Sequence, residues 1–139
     1  MSDDTHAPPP ETLLFVEDEL MIRMDMAEFL RQSNYRVSEA ATSDEALDAL
    51  RLKLAIDLVI TDVKLPGQMD GLALAGWIRE NRPGVQVIVQ TGDATTELPE
   101  ALQEFGPILR KPFTGRDLLA RVKLALAKRQ PPIAGDESR

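Results

Sequence analysis

Leu58-Val59-Ile60-Thr61-Asp62, running on into Val63-Lys64-Leu65-Pro66-Gly67, decides how this chain folds. The first four residues are apolar or β-branched with no polar alternation. A strand reads this way when both faces of its sheet are covered, and such a sheet is parallel with helices on each side. The run stops at Asp62, and Pro66-Gly67 turns the chain shortly afterwards.

Four more apolar runs flank this one: Thr12 to Val16, Tyr35 to Glu39, Val85 to Gln90 and Ile108 to Arg110. The segments between them are amphipathic. Leu20 to Gln32 puts Ile22, Met26, Phe29 and Leu30 on one helical face. Thr42-Ser43-Asp44-Glu45 is a capping box ahead of a face made by Ala46, Leu47, Leu50 and Leu54. Asp70 predicts the N-cap of a helix that carries Trp77 and Ile78 and stops before Pro83-Gly84. Thr114-Gly115-Arg116-Asp117 opens a last helix with Leu118, Val122 and Leu126 in one stripe. Thr95-Thr96 and Pro99 leave 92–106 short of helix propensity, so the fourth crossover is expected to hold a weak or short helix. The alternation predicts an α/β fold: a five-stranded parallel sheet with helices on both faces.

A length of 139 residues and 43% hydrophobic composition suit one domain with a real core. The expected organisation is a disordered tail over 1–11, a folded domain over 12–129 and a disordered tail over 130–139. The lone His6 belongs to the first tail. Met1 to Pro10 lacks the apolar run of a signal peptide, and no apolar stretch approaches the ~18 residues of a membrane span, so a cytoplasmic protein is expected. There is no Cys, which removes disulfides and thiolate metal sites. The formal charge of −7 argues against direct DNA binding.

Polar residues gather where the strands end: Glu17 and Asp18, Asp62, Thr91 and Lys111. In an open parallel sheet the ligand crevice lies outside the carboxyl ends of the strands, so these five converge. A carboxylate pair at 4 Å repels by about 4 kcal/mol at an effective dielectric of ~20, which a divalent cation relieves. Hard oxygen ligands suit Mg²⁺, while a hydroxyl and an ammonium suit phosphoryl oxygens.

Val16-Glu17-Asp18-Glu19, Thr61-Asp62-Val63-Lys64-Leu65-Pro66-Gly67, Gln90-Thr91-Gly92 and Lys111-Pro112-Phe113 together resemble the receiver domain of bacterial two-component response regulators, over Thr12 to Lys128. The resemblance implies the flavodoxin-like, CheY-like fold with strand order 2-1-3-4-5. It implies that Asp62 accepts a phosphoryl group from a phosphohistidine, and that Asp18, Asp62 and the Lys64 carbonyl hold Mg²⁺, with Glu17 acting mainly through water. Thr91 and Lys111 would bind the phosphoryl oxygens, and a cis Lys111-Pro112 bond would aim the lysine inward. The implied partners are a histidine kinase or histidine phosphotransfer protein and a downstream protein target. The implied role is a standalone phosphate shuttle or protein-binding switch, not an enzyme beyond its own phosphorylation and dephosphorylation.

Two positions depart from the family pattern. Ile108 stands where receivers commonly carry a switching Tyr or Phe, and Val89-Gln90-Thr91-Gly92 matches only the Thr-Gly of the Phe-Ala-Thr-Gly subgroup. Without the aromatic, the expected switch is ordering of 92–105 on phosphorylation. Met21 and Met24 lie off the first helix's stripe and offer adaptable contacts to a phosphodonor helix, and Lys64 is a candidate to pair with Asp93 across the site's mouth. The alternatives are a phosphorylation-independent binding module and a haloacid-dehalogenase-type phosphatase. The latter needs Asp-x-Asp after the first strand, where this chain has Glu17-Asp18-Glu19-Leu20.

Overall fold

The computed structural model describes residues 10–52, 55–92 and 105–128. Among these residues are five strands, β1 (Thr12–Val16), β2 (Arg36–Ala40), β3 (Leu58–Asp62), β4 (Gln86–Thr91) and β5 (Leu109–Arg110), and four helices, α1 (Leu20–Gln32), α2 (Ser43–Arg51), α3 (Gly71–Asn81) and α4 (Gly115–Lys128), with one helix after each of β1, β2, β3 and β5. The sheet is wholly parallel in the order β2-β1-β3-β4-β5. Residues 93–104 of the expected fourth crossover, residues 1–9 and 130–139 of the two tails, Leu54 and Asp93 lie outside the described residues.

Strand side chains alternate between two cores, as a two-residue period requires. Leu13, Phe15, Leu58, Ile60 and Ile88 meet Leu30 of α1 and Leu118, Val122 and Ala125 of α4. Leu14, Val16, Val59, Val87 and Val89 meet Ala46, Leu47 and Leu50 of α2 and Leu74, Ala75 and Ile78 of α3. Each core covers one face of the sheet. On the second, the Arg51 guanidinium lies 5.6 Å from the centroid of the half-buried Trp77 ring and joins α2 to α3.

Three strand starts differ from expectation by one residue: β5 opens at Leu109 rather than Ile108, and the other two shift for a hydrogen-bond reason. Asn34 adopts φ 77° after α1, and the Tyr35 amide donates to Leu30 O at 3.2 Å while the Asn34 amide donates to Arg31 O. That is a Schellman closure, with Asn tolerating the left-handed position, so Tyr35 serves the helix end and β2 starts at Arg36. The Val85 amide likewise closes the turn onto Arg82 O at 2.9 Å, leaving Gln86 to open β4.

Asp70 caps α3 by accepting from the Ala73 amide at 2.8 Å. Thr114 and Asp117 cap α4 reciprocally, at 3.0 and 2.9 Å. At α2, Thr42 accepts from the Glu45 amide, but the Glu45 carboxylate accepts from Ala41, one residue before the cap. The Lys111–Pro112 bond is cis.

Candidate functional site

Strand β1 delivers the chain directly into Glu17, whose amide donates to Ala40 O at 3.0 Å and prolongs the β1–β2 ladder past Val16. Glu17 is 0% exposed, so its carboxylate depends on protein donors. Three reach it: Lys111 Nζ at 2.7 Å and Gln90 Nε2 at 3.2 Å, both on Oε1, and the Glu19 amide at 3.1 Å on Oε2. Burial alone would raise this carboxyl. The donors together outweigh it and hold Glu17 below the ordinary carboxylate value. Asp18, next in sequence, is exposed.

Asp62 ends the central strand with 6% exposure. Its backbone is clamped: the Thr61 hydroxyl donates to Asp62 O at 3.0 Å, and a Cβ on Gly71 would stand 1.5 Å from that oxygen. Only glycine fits at the start of α3. The Asp62 carboxylate lies 3.1 Å from Lys111 Nζ. Burial first, then the charge of Glu17, push its carboxyl up to about 7, with Lys111 pulling the other way. The lysine bridges both acids, and their attraction outweighs burial to raise its ammonium above the ordinary lysine value.

Glu17, Asp18 and Asp62 offer carboxylate oxygens that all lie within 4.8 Å of one another. Beside them opens a cleft of about 240 Å³ lined by Asp62, Lys64, Thr91, Gly92 and Lys111. The Lys111 amide donates to Thr91 O at 2.8 Å, which ties the ends of β4 and β5 together. The folded chain therefore gathers Glu17, Asp18, Asp62, Lys64, Thr91 and Lys111 at one end of the sheet. A second cavity, about 200 Å³, lies at the other end of β4 by Arg79, Val85, Phe105, Arg121 and Lys128. It has no carboxylate among its described lining residues.

Sequence reading missed three supports. Gln90 looks like part of an apolar strand, yet its amide reaches Glu17 across 73 residues of sequence. Ser43 reads as a capping-box residue, yet it is buried, and its hydroxyl accepts from the Met69 amide at 3.1 Å. It packs beneath Gly67, whose φ of 118° favours glycine in the loop after β3. For Gly71 no local signal exists, because the clash it avoids is with another element.

The carboxylate set has the chemistry of a hard-cation site, and the adjoining hydroxyl and ammonium that of an oxyanion site. Comparisons with known proteins place the chain among response regulators. The curated relatives include the transcriptional regulatory protein PdtaR of Mycobacterium tuberculosis, 38% identical over 128 residues, covering 90% of this chain and 61% of the relative. They also include the sensor kinase CckA of Brucella abortus, 37% identical over 121 residues, covering 84% of this chain and 13% of the kinase. The chain thus spans about three fifths of the first relative's length and a small part of the second. Among solved structures, a CheY-like response regulator receiver domain protein from Methanospirillum hungatei superposes with a TM-score of 0.77 at 30% identity, covering 86% of this chain and 95% of that one. The receiver domain of NtrX from Brucella abortus gives 0.75 at 30% identity, with 84% and 98% covered. The response regulator receiver domain model matches residues 13–123, taking in all six gathered residues, and the chain belongs to that family.

Proposed function

We propose that this protein takes a phosphoryl group from a phosphohistidine onto Asp62, with Mg²⁺, and acts in the cytoplasm as a phosphate shuttle or protein-binding switch in two-component signalling. One observation carries the reading: a single ammonium, Lys111 Nζ, bridges Glu17 at 2.7 Å and Asp62 at 3.1 Å at the mouth of a cleft that also holds Thr91. An aspartate crowded by a second acid and bridged by a lysine is poised to be neutralised by a cation and to become an acyl phosphate.

The donor set fits Mg²⁺, with three oxygen ligands close together and no sulfur or imidazole competitor in the group. Asp18, Asp62 and the Lys64 carbonyl would hold it, with Glu17 acting through water. Bound there, it supplies positive charge against the equatorial phosphoryl oxygens. The chain's own groups do the rest. An Asp62 carboxylate oxygen attacks phosphorus in line; the P–N bond of the donor breaks, and its electron pair leaves on the imidazole nitrogen. The Lys111 ammonium and the Thr91 hydroxyl then hold the transferred oxygens.

The phosphodonor is a histidine kinase or histidine phosphotransfer protein, and the output is a downstream protein target; the −7 charge argues against DNA as the direct partner. Leu20, Met21 and Met24 are 55, 70 and 51% exposed at the start of α1 beside Asp18, a surface suited to a donor helix. The test is labelling with acetyl phosphate in Mg²⁺. The wild type should take up one phosphoryl group and Asp62→Asn none, while full labelling of the variant would overturn the assignment. No labelling of the wild type would favour the phosphorylation-independent module.

A further inference from the structure

Gln90 is fully buried, and the fully buried side chains larger than it are all aliphatic or aromatic. Its Nε2 donates to Glu17 Oε1 at 3.2 Å, and its Oε1 is buried without a hydrogen-bond partner among the described residues. Methionine or leucine would fill the space and leave no acceptor unsatisfied, so packing does not explain an amide here. Turning the amide over would set its oxygen against a carboxylate oxygen. What glutamine supplies is one neutral donor aimed at a buried acid.

We infer that Gln90 is a positioning residue for the cation site: its amide fixes the Glu17 carboxylate so that Glu17, Asp18 and Asp62 present their oxygens together. The inference rests on the Mg²⁺ reading proposed above. Glu17 Oε1 has two side-chain donors of different kinds. Lys111 Nζ is shared with Asp62, so a phosphoryl group on Asp62 competes for it. Gln90 has no anionic partner besides Glu17 among the described residues, and its backbone is pinned beside the acceptor. Asp62 pairs with Gln90 in the β3–β4 register, and the Val63 amide donates to Gln90 O at 2.9 Å. The lysine is therefore free to follow the phosphoryl group while the amide keeps Glu17 in place. Groups that orient metal ligands in this way typically change metal affinity 10–100-fold when removed.

The experiment is Mg²⁺ titration calorimetry on the whole protein, paired with thermal melting in chelator. Gln90→Met should weaken Mg²⁺ binding about tenfold, yet melt no lower than wild type without metal, because the unsatisfied acceptor goes with the amide. Gln90→Leu repeats the comparison should methionine fail to fold. In a Glu17→Gln background the same substitution should change the affinity less than twofold, since the group it orients is already altered. Equal Mg²⁺ affinity in wild type and Gln90→Met would overturn the inference, and so would a tenfold loss that persists without Glu17. Absence of Mg²⁺ binding in the wild type would instead defeat the metal reading on which it rests.

Discussion

The two strands that bring Asp62 and Lys111 together are built to different standards. β3 has five residues, all buried, with a parallel partner on each side. β5 has two, half-buried Leu109 and exposed Arg110, and among the described residues it pairs only with β4. The acceptor thus stands on a frame packed on both faces, whereas the lysine hangs from an edge held mainly by its amide bond to Thr91 O. A site that must change shape when charge arrives is easiest to move at the edge. The difference teaches where rigidity is spent: on the nucleophile rather than on its counter-ion.

The sharpest way to break this contrast is a methyl group on each side. Gly71→Ala forces a Cβ to within 1.5 Å of Asp62 O, whereas in Gly92→Ala the nearest atom, Lys111 Cδ, lies at an ordinary 3.6 Å. Urea denaturation should show Gly71→Ala losing at least about 4 kcal/mol or failing to fold, and Gly92→Ala staying within about 0.5 kcal/mol. Similar losses would mean that the two sides are equally rigid. Truncation sharpens it next: Ile60→Ala, at a 0% exposed position of β3, should lose about 3 kcal/mol, and Leu109→Ala about 1 kcal/mol.

Charge separates the two sides as well. The Asp62 carboxyl moves from 3.8 when unfolded to about 7 when folded, so the folded form holds the proton more tightly. Its contribution is complete at the low end of that range and is lost as pH rises from about 4 to 7. The Glu17 carboxyl is held below its ordinary 4.5, so its contribution has the opposite sign and fades only below that value. In metal-free buffer Asp62→Asn should therefore remove the decline between pH 4 and 7 and stabilise the protein at pH 8 by about 1–3 kcal/mol. That lies below the ~4 kcal/mol ceiling of such a shift, because asparagine is still a buried polar group. Melting curves across pH that coincide for the two proteins would contradict it. The smallest effect belongs to the cation: Mg²⁺ at ~10 Kd should add about 1.4 kcal/mol to the wild type, and Asp18→Ala should erase it. Equal gains in both proteins would put the cation elsewhere.

Much of this was legible because the chain writes its sheet in runs of apolar residues. Leu58 to Thr61 could only be a central strand, and Asp70 and Thr114 mark helix starts through the side-chain oxygens that cap them. Five of the six gathered residues were legible for the same reason, since strand ends in a parallel sheet share one edge, whereas Lys64, beyond the end of β3, came only from the family resemblance. What stayed hidden was set by distant partners. Gly71 is dictated by the Asp62 carbonyl, Gln90 by a glutamate 73 residues earlier, and the true start of β2 by a helix-closing bond that takes the Tyr35 amide. On α1, Ala27 is fully buried while Ile22, Met26 and Phe29 are only partly covered, since a small residue on the stripe brings the helix closer to the sheet than a stripe count can say. Residues 93–104, where ordering on phosphorylation is expected, lie outside the described structure.

The Arg51–Trp77 contact has a practical corollary. Trp77 is the chain's single tryptophan, and it reports from the face of the sheet covered by α2 and α3, not from the acidic mouth. Its emission is a fluorophore signal for the separation of those two helices. It should shift at the unfolding midpoint and stay dark to cation or phosphoryl occupancy, giving one optical channel for stability that leaves the chemistry to be followed by another.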